Sequence, residues 1–556
     1  MKNNRIHISV LGAAALALAA TGCSGGTHAL TPAPAATAAP NTAPASKAGT
    51  SAKLTILVPR PVSGTAARRR PAYVSPSSTA LNVAVNGGTV TTYGLTPSSP
   101  GCAVQSAVLA CTFAIVVPAG NDSLALSLLD GAGNVLSRNV VSAQIAAGTS
   151  TPVSVTLDGV PASVAVVPGT NAFVDTSTPP YHVPGLFALP VEVEPLDAGG
   201  NVIIGPGAPQ IDAVSISSGT AYATIASAGS TDPAAYVVKP KGGAAGGQTI
   251  AVSATVNGLT LGDGTVSQPV TASSTFTFTP ALVVASGRAV TAVSVESGTP
   301  FAQFAVCPGE CGTNIANDLA SDANGNIYVA FTTLFGPSVN SNISVFPSGA
   351  TVPSIALAAT NGVHSVGGIY VDAQNALWVA NGNTGSFGHG GVHTPPAIAK
   401  FAPLATSPES TISGTFSEPG GIAVDGSGNV FESDPLDTAT VVEYPSGSST
   451  VSATLSDPSL AAPSRLATDT SGGLYVDDAT NDDLAYFAAG QSALTTTLTD
   501  PSFANGIDDM LIDPSGNLWV SLGPANEIER LDHTALPGSV VVTEIVDTGG
   551  AMGWIP

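Results

Sequence analysis

At 556 residues the chain is long enough for about two to four domains, and 15 Lys and Arg against 37 Asp and Glu give it a formal net charge of −22. That balance excludes nucleic acid as a partner, because a phosphate backbone is bound by clustered cations that release its counterions; the one basic cluster, Arg68 to Arg70, lies in a linker-like stretch. Charged residues make up only 9% and aromatics 5%, while 61 Gly and 44 Pro punctuate runs of Ala, Thr, Ser and Val, which is the composition of an all-β chain of short strands and many turns.

The first 23 residues read as an address. Lys2 and Arg5 give a short positive flank, Ile8 to Ala20 an apolar run too short to span a bilayer as a mature helix, and Ala20-Thr21-Gly22-Cys23 closes it. This arrangement resembles a bacterial lipoprotein signal peptide with its lipobox, although Ala20 stands where Leu is usual. The resemblance implies that Cys23 becomes a lipidated N-terminus anchored in the bacterial cell envelope. Ser24 after the cysteine implies sorting to an outer membrane or cell surface. The alternative is an ordinary secretory signal cleaved elsewhere. Residues 24–72 are rich in Ala, Pro and Thr with almost no apolar periodicity, and are expected to form a disordered tether.

With Cys23 set aside as the lipid carrier, the five cysteines leave two local pairs, Cys102 with Cys111 and Cys307 with Cys311. In an oxidising compartment each is expected to close a small loop as a disulfide. A metal or redox role for Cys307-Pro-Gly-Glu-Cys311 lacks a second pair at zinc spacing.

Residues 73–158 alternate in strand fashion at Leu81, Val83 and Val85, at Phe113, Ile115 and Val117, and at Leu124, Leu126 and Leu128, separated by turn signals; they predict a β-sandwich. Residues 159–285 predict a second. Its Asp197-Ala-Gly-Gly-Asn201 turn, with the strands from Val214 and Thr249, resembles the bacterial immunoglobulin-like domains of cell-surface proteins.

From 286 to 556 one phrase recurs. LASDANGNIYVAF from Leu319, IYVDAQNALWVAN from Ile369, IAVDGSGNVFESD from Ile422, LATDTSGGLYVDD from Leu466 and MLIDPSGNLWVSL from Met510 place Asp322, Asp372, Asp425, Asp469 and Asp513 at intervals of 50, 53, 44 and 44 residues. Each phrase is a β-hairpin whose Gly and Asn suit left-handed turn positions, and a period of this length in an all-β chain predicts a propeller. The recurrence resembles NHL-type six-bladed propellers; the second repeat departs from it with Gln374-Asn375-Ala376 and the fourth with Gly473. Val290–Val306 reads as an outer strand pair and Gly549–Pro556 as an inner strand, so that both ends of the domain would close a sixth blade. Five blades is the alternative.

In such a ring, residues just before each inner strand face the channel. Counting four and five back from each motif aspartate gives Asn317 and Asp318, Gly367 and Gly368, Gly420 and Gly421, Ser464 and Arg465, and Asp508 and Asp509. The candidate ligand-binding residues are therefore Asn317, Asp318, Arg465, Asp508 and Asp509, with glycines leaving room; such a set suits a polar molecule or a divalent cation, no other cofactor being expected. The plainer reading is a wet channel whose acids are paired with Arg465. The five motif aspartates lack the further oxygen ligands of a calcium loop and read as turn formers. Val476–Asp483 (VDDATNDD) reads as a solvated loop, and His389 and His393 sit in a Gly- and Pro-rich loop unsuited to a metal helix.

No nucleophile elbow, zinc-protease helix or phosphate loop is present in the sequence. Neither the metal set of gluconolactonase-like propellers nor the His–Glu pair of streptogramin lyases can be placed, so an enzyme is the minor reading. The sequence favours a membrane-anchored extracytoplasmic protein that presents a propeller, on a sandwich stalk, to an unknown protein, glycan or small molecule. A lactonase- or lyase-type envelope enzyme and a structural envelope component are the alternatives.

Overall fold

The computed structural model describes residues 50–60, 74–169, 172–205, 207–229, 232–241, 246–258, 266–306, 315–335, 338–382, 395–413, 420–434, 439–523, 525–532, 534–537, 542–546 and 549–555. The chain divides into Met1–Ala48 and Gly49–Pro556, and everything described belongs to the second unit. The leader with Cys23, most of the tether, Cys307, Cys311, His389 and His393 lie outside the described residues.

The first sandwich begins earlier than its expected start at 73. Ser51–Pro59, which falls in the expected tether, is a nine-residue strand paired antiparallel with Val108–Val116 on one side and parallel with Ser150–Pro152 on the other. Its alternation is plain in the residues: Ala52, Leu54, Ile56 and Val58 are buried, while Lys53, Thr55 and Leu57 point outward. Composition averaged over the whole stretch hides it. The inward residues meet Leu81, Val83, Leu124, Leu126 and Leu128 of the opposing five-stranded sheet. Cys102 and Cys111 face each other across a hairpin and are disulfide-bonded, as their spacing predicts.

The second sandwich packs the sheet containing Ser163–Pro168, Leu189–Leu196, Ala235–Pro240 and Ala223–Ser227 on the sheet containing Tyr181–Pro184, Val270–Thr279, Thr249–Val256 and Ile211–Ser218. Val166, Val191, Val193, Val252, Phe276 and Phe278 fill the space between.

The remainder is a six-bladed β-propeller. Among the described residues from Ala281 onward, six four-stranded antiparallel sheets are present, and their innermost strands, Ile315–Ser321, Val366–Val371, Ile422–Val424, Pro463–Thr468, Ile507–Ile512 and Ala551–Ile555 (blades 1 to 6), each touch the next, the last touching the first. Blade 6 is closed by both ends of the domain, with Ala551–Ile555 innermost, then Ala281–Ser286, Ala289–Ser294 and Pro300–Ala305. The expected outer pair is there, but its return strand starts at Ala281, ahead of the expected boundary at 286. Ala281 to Ala285 are all buried, and such a run carries no periodicity that would announce a strand of the next domain.

Only Pro280 separates the last sandwich strand from this first propeller strand, and one apolar core runs through both. Phe187 meets Phe301 edge-on at 5.5 Å, Phe304 meets Phe346 at 4.9 Å, and Ser294 donates to Asp175 at 2.8 Å. Gly325 in the blade 1 turn lies so close to Leu186 that a Cβ there would stand 3.0 Å from it. The propeller is thus seated on the second sandwich through a packed core.

The motif aspartates are turn chemistry. Asp322 Oδ1 accepts from the backbone N–H of Asn324 (2.9 Å) and Asn326 (2.8 Å), and Oδ2 accepts from the Asn326 side chain at 2.6 Å. Asp425 and Asp513 repeat the pattern, as does Asp130 in the first sandwich. Where a repeat lacks the Asn, another donor takes its place: Trp378 Nε1 reaches Asp372 at 2.8 Å, and the Tyr486 hydroxyl reaches Asp469 at 2.9 Å through the space left by Gly473.

Candidate functional site at the channel mouth

The inner strands of blades 1, 2, 4 and 5 each carry a register shift near their first residues, at Ala316/Asp318, Val366/Gly368, Pro463/Leu466 and Ile507/Asp509. A bulge at a strand end re-aims the side chains beside it. Here it turns Asp318 and Asp509 onto the neighbouring blade. Asp318 Oδ2 accepts from Ile369 N–H at 2.7 Å, joining blades 1 and 2; Asp509 Oδ2 accepts from Met552 N–H at 2.6 Å, joining blades 5 and 6. The other oxygen of each takes the N–H of the next residue, Leu319 or Met510, both at 2.8 Å.

Arg465 comes from blade 4, which stands opposite blade 1 in a ring of six. Its guanidinium crosses the channel, with Nη1 3.8 Å from Asp318 Oδ2 and Nη2 donating to the Asn317 carbonyl at 3.4 Å. Asn317 thus reaches Arg465 through its backbone. Asp508 is exposed on the rim next to Gly523. The structure brings together Asn317, Asp318, Arg465 and Asp509, with Asp508 at the edge.

Asp477 was not among the residues expected here. It lies on the second strand of blade 4, only 2% exposed, and accepts the Ser464 hydroxyl, whose oxygen in turn accepts Arg465 N–H at 2.7 Å. At the same register the other blades carry Ala330, Ala380, Ser433, Ser521 and Ala285, so a lone acid among small residues was the available signal. The reading of Val476–Asp483 as a solvated loop is corrected for its first half: Asp478 is also buried and accepts Ala461 and Ala462 N–H, both at 2.8 Å, pinning the preceding loop. The glycines do not make room for a ligand. A Cβ on Gly368 would stand 2.6 Å from the Gly420 carbonyl, and one on Gly421 would strike the Ser464 carbonyl, so close approach of inner strands requires both.

Burial pushes the Asp318 and Asp509 carboxyls upward, and Asp318 adds to the cost of ionising Asp509, while Arg465 and the backbone N–H donors pull the other way in both. Asp477 is pushed up to about 6 by burial, against its Ser464 hydrogen bond and Arg465. Burial works against the Arg465 charge, but Asp318, Asp509, Asp508 and Asp477 outweigh it and hold the guanidinium protonated. One cation thus faces four carboxyl groups. Beneath it lies a cavity of about 170 Å³ walled by Leu319, Ile369, Leu466, Met510 and Met552. Toward the far end the Tyr370 hydroxyl approaches Thr468 Oγ1 at 3.4 Å. Among the described residues no group of three or more His, Cys, Asp or Glu is placed to hold a metal ion.

No protein-family model and no curated protein matches the chain. Among solved structures it is similar to a nidogen/laminin complex (12% identity, TM-score 0.38, 50% of this chain and 98% of that one) and to a protein of unknown function from Bacteroides caccae (13%, 0.36, 50% and 98%). It is also similar to virginiamycin B lyase from Staphylococcus aureus (12%, 0.30, 42% and 70%).

Proposed function

We propose that this is a binding protein of the bacterial cell envelope, anchored through a lipid on Cys23, with immunoglobulin-like sandwiches raising the propeller and the Arg465 mouth taking a small, positively charged ligand. The observation that carries this reading is the unrepeated constellation at the mouth. Where inner strands elsewhere carry Gly368, Gly421 or Ala551, three blades supply Asp318, Arg465 and Asp509, with Asp477 and Asp508 beside them. Acids outnumber the one cation at the mouth, with Asp508 exposed on the rim, which favours a cation, and a mixed lining below, with Leu319, Ile369 and Met552 beside Ser321 and Thr468, admits one with a hydrocarbon portion.

Titration calorimetry of the full chain with putrescine, calcium chloride and glucose separates the ligand classes. Putrescine is expected to bind and Asp508→Asn to weaken it about tenfold, the loss of one charge interaction of about 1.4 kcal/mol. Absence of binding by all three, or an Asp508→Asn variant that binds unchanged, overturns the site. Metabolic labelling with a fatty-acid analogue tests the anchor separately: wild type should be labelled and Cys23→Ala should not.

A further inference from the structure

Glu432 lies in the second strand of blade 3, Val430–Asp434, paired with Ile422 on one side and Val442 on the other. The residues at the same register in the other five blades are Val329, Val379, Val476, Val520 and Val284, none more than 1% exposed. A carboxyl group has replaced one member of a ring of buried valines. It is 0% exposed, and among the described residues neither of its oxygens has a hydrogen-bond partner.

Alternation along the strand puts Glu432 on the face of Val430, which packs with Trp378, Ala380, Ile398 and Ile412 of blade 2 and with Ile422, Val424 and Tyr444 of its own blade. The titratable groups on this seam are few. From its own strand comes Asp434, from the adjacent strand Tyr444, whose hydroxyl also has no partner, and from blade 2 Tyr370, turned toward Thr468, and Lys400, held by Glu409 at 3.4 Å and by the Trp378 ring. The inner strand Ile422–Val424 offers none. Among the described residues no cation meets the carboxylate, and ionising it there would strand a charge in an apolar seam.

We propose that Glu432 is a proton-dependent joint between blades 2 and 3, closed while the carboxyl is neutral and loosened when it ionises. Burial first, and then Asp434, push it up to about 8. In the unfolded chain it ionises near the ordinary carboxylate value, so between that value and about 8 unfolding releases a proton and stability falls as pH rises. Below the unfolded value the contribution is complete; above about 8 it is gone. Nothing in the mouth site is required for this.

Urea unfolding of the full chain at pH 6 and pH 9, followed by tryptophan fluorescence with Trp378 in the seam, tests it. The wild-type unfolding constant is expected to rise up to tenfold more per pH unit than that of Glu432→Gln within the window, the effect of one linked proton. Glu432→Val, which restores the residue of the other blades, should be more stable than wild type at pH 9. Equal pH dependence of wild type and Glu432→Gln overturns the joint. If the Gln variant does not fold, a Val variant no more stable than wild type at pH 9 overturns it as well.

Discussion

The two ends of each inner strand follow opposite rules. At the turn end one residue recurs, Asp322, Asp372, Asp425, Asp469 or Asp513, and each time it accepts the same backbone N–H groups. At the mouth end the residue changes from blade to blade, and so does its work: Asp318 and Asp509 join neighbours, Arg465 crosses the channel, and Gly368 and Gly421 permit close approach. A residue repeated in all five hairpins satisfies a need of the backbone that they share. A residue confined to one or two blades serves a need that the others lack.

The largest effect that would break this contrast is expected at Asp318. Asp318→Ala removes the acceptor for a buried N–H and the partner of Arg465, and should cost about 3–5 kcal/mol in urea unfolding. Asp318→Asn, which keeps an acceptor, should cost less than half of that. Next comes Asp322→Ala in the buried blade 1 turn, expected to lose about 2 kcal/mol, whereas Asp130→Ala, in the exposed copy of the same turn, should leave the midpoint unchanged because water replaces the lost acceptor. A turn variant costlier than Asp318→Ala would reverse the ranking of the two ends.

The pH dependence is the third measure. Asp509 is raised by burial and by Asp318, so its proton is held in the folded state above the pH at which the unfolded carboxylate ionises. That contribution is full below the unfolded value and declines as pH rises toward the folded one. Asp509→Asn should flatten the slope of stability against pH by about 1.4 kcal/mol per unit at most; an unchanged slope would mean that the backbone donors and Arg465 outweigh burial. The smallest effect sharpens the turn end. Trp378→Phe removes the donor that replaces the missing Asn beside Asp372 and should cost about 1 kcal/mol, measured as a urea midpoint shift. Trp519→Phe should cost less, because Asn517 still serves Asp513.

Much of the fold was legible because periodicity of two and a recurring turn are local properties. The five hairpins and the turn role of their aspartates are written in adjacent residues, and the sixth blade closed by both ends of the domain and the Cys102–Cys111 pair are present as expected. Ser51–Pro59 was equally legible in its alternation and was masked only by the composition around it. Ala281–Ser286 was not, since a strand buried on both faces shows no alternation. At the site, counting back from the turn found Asp318, Arg465 and Asp509. It missed Asp477, which lies on the next strand and reaches the mouth only through strand pairing.

The sequence by itself determined the blade, because a hairpin closes within a dozen or so residues and its turn chemistry is written in adjacent positions. Only the tertiary structure decided what the unrepeated residues do. Whether Asp318 meets Arg465, whether Gly421 offers space or closeness, and whether Glu432 finds a partner depend on blades brought together by ring closure, where one carboxylate gains a guanidinium and another is left in an apolar seam.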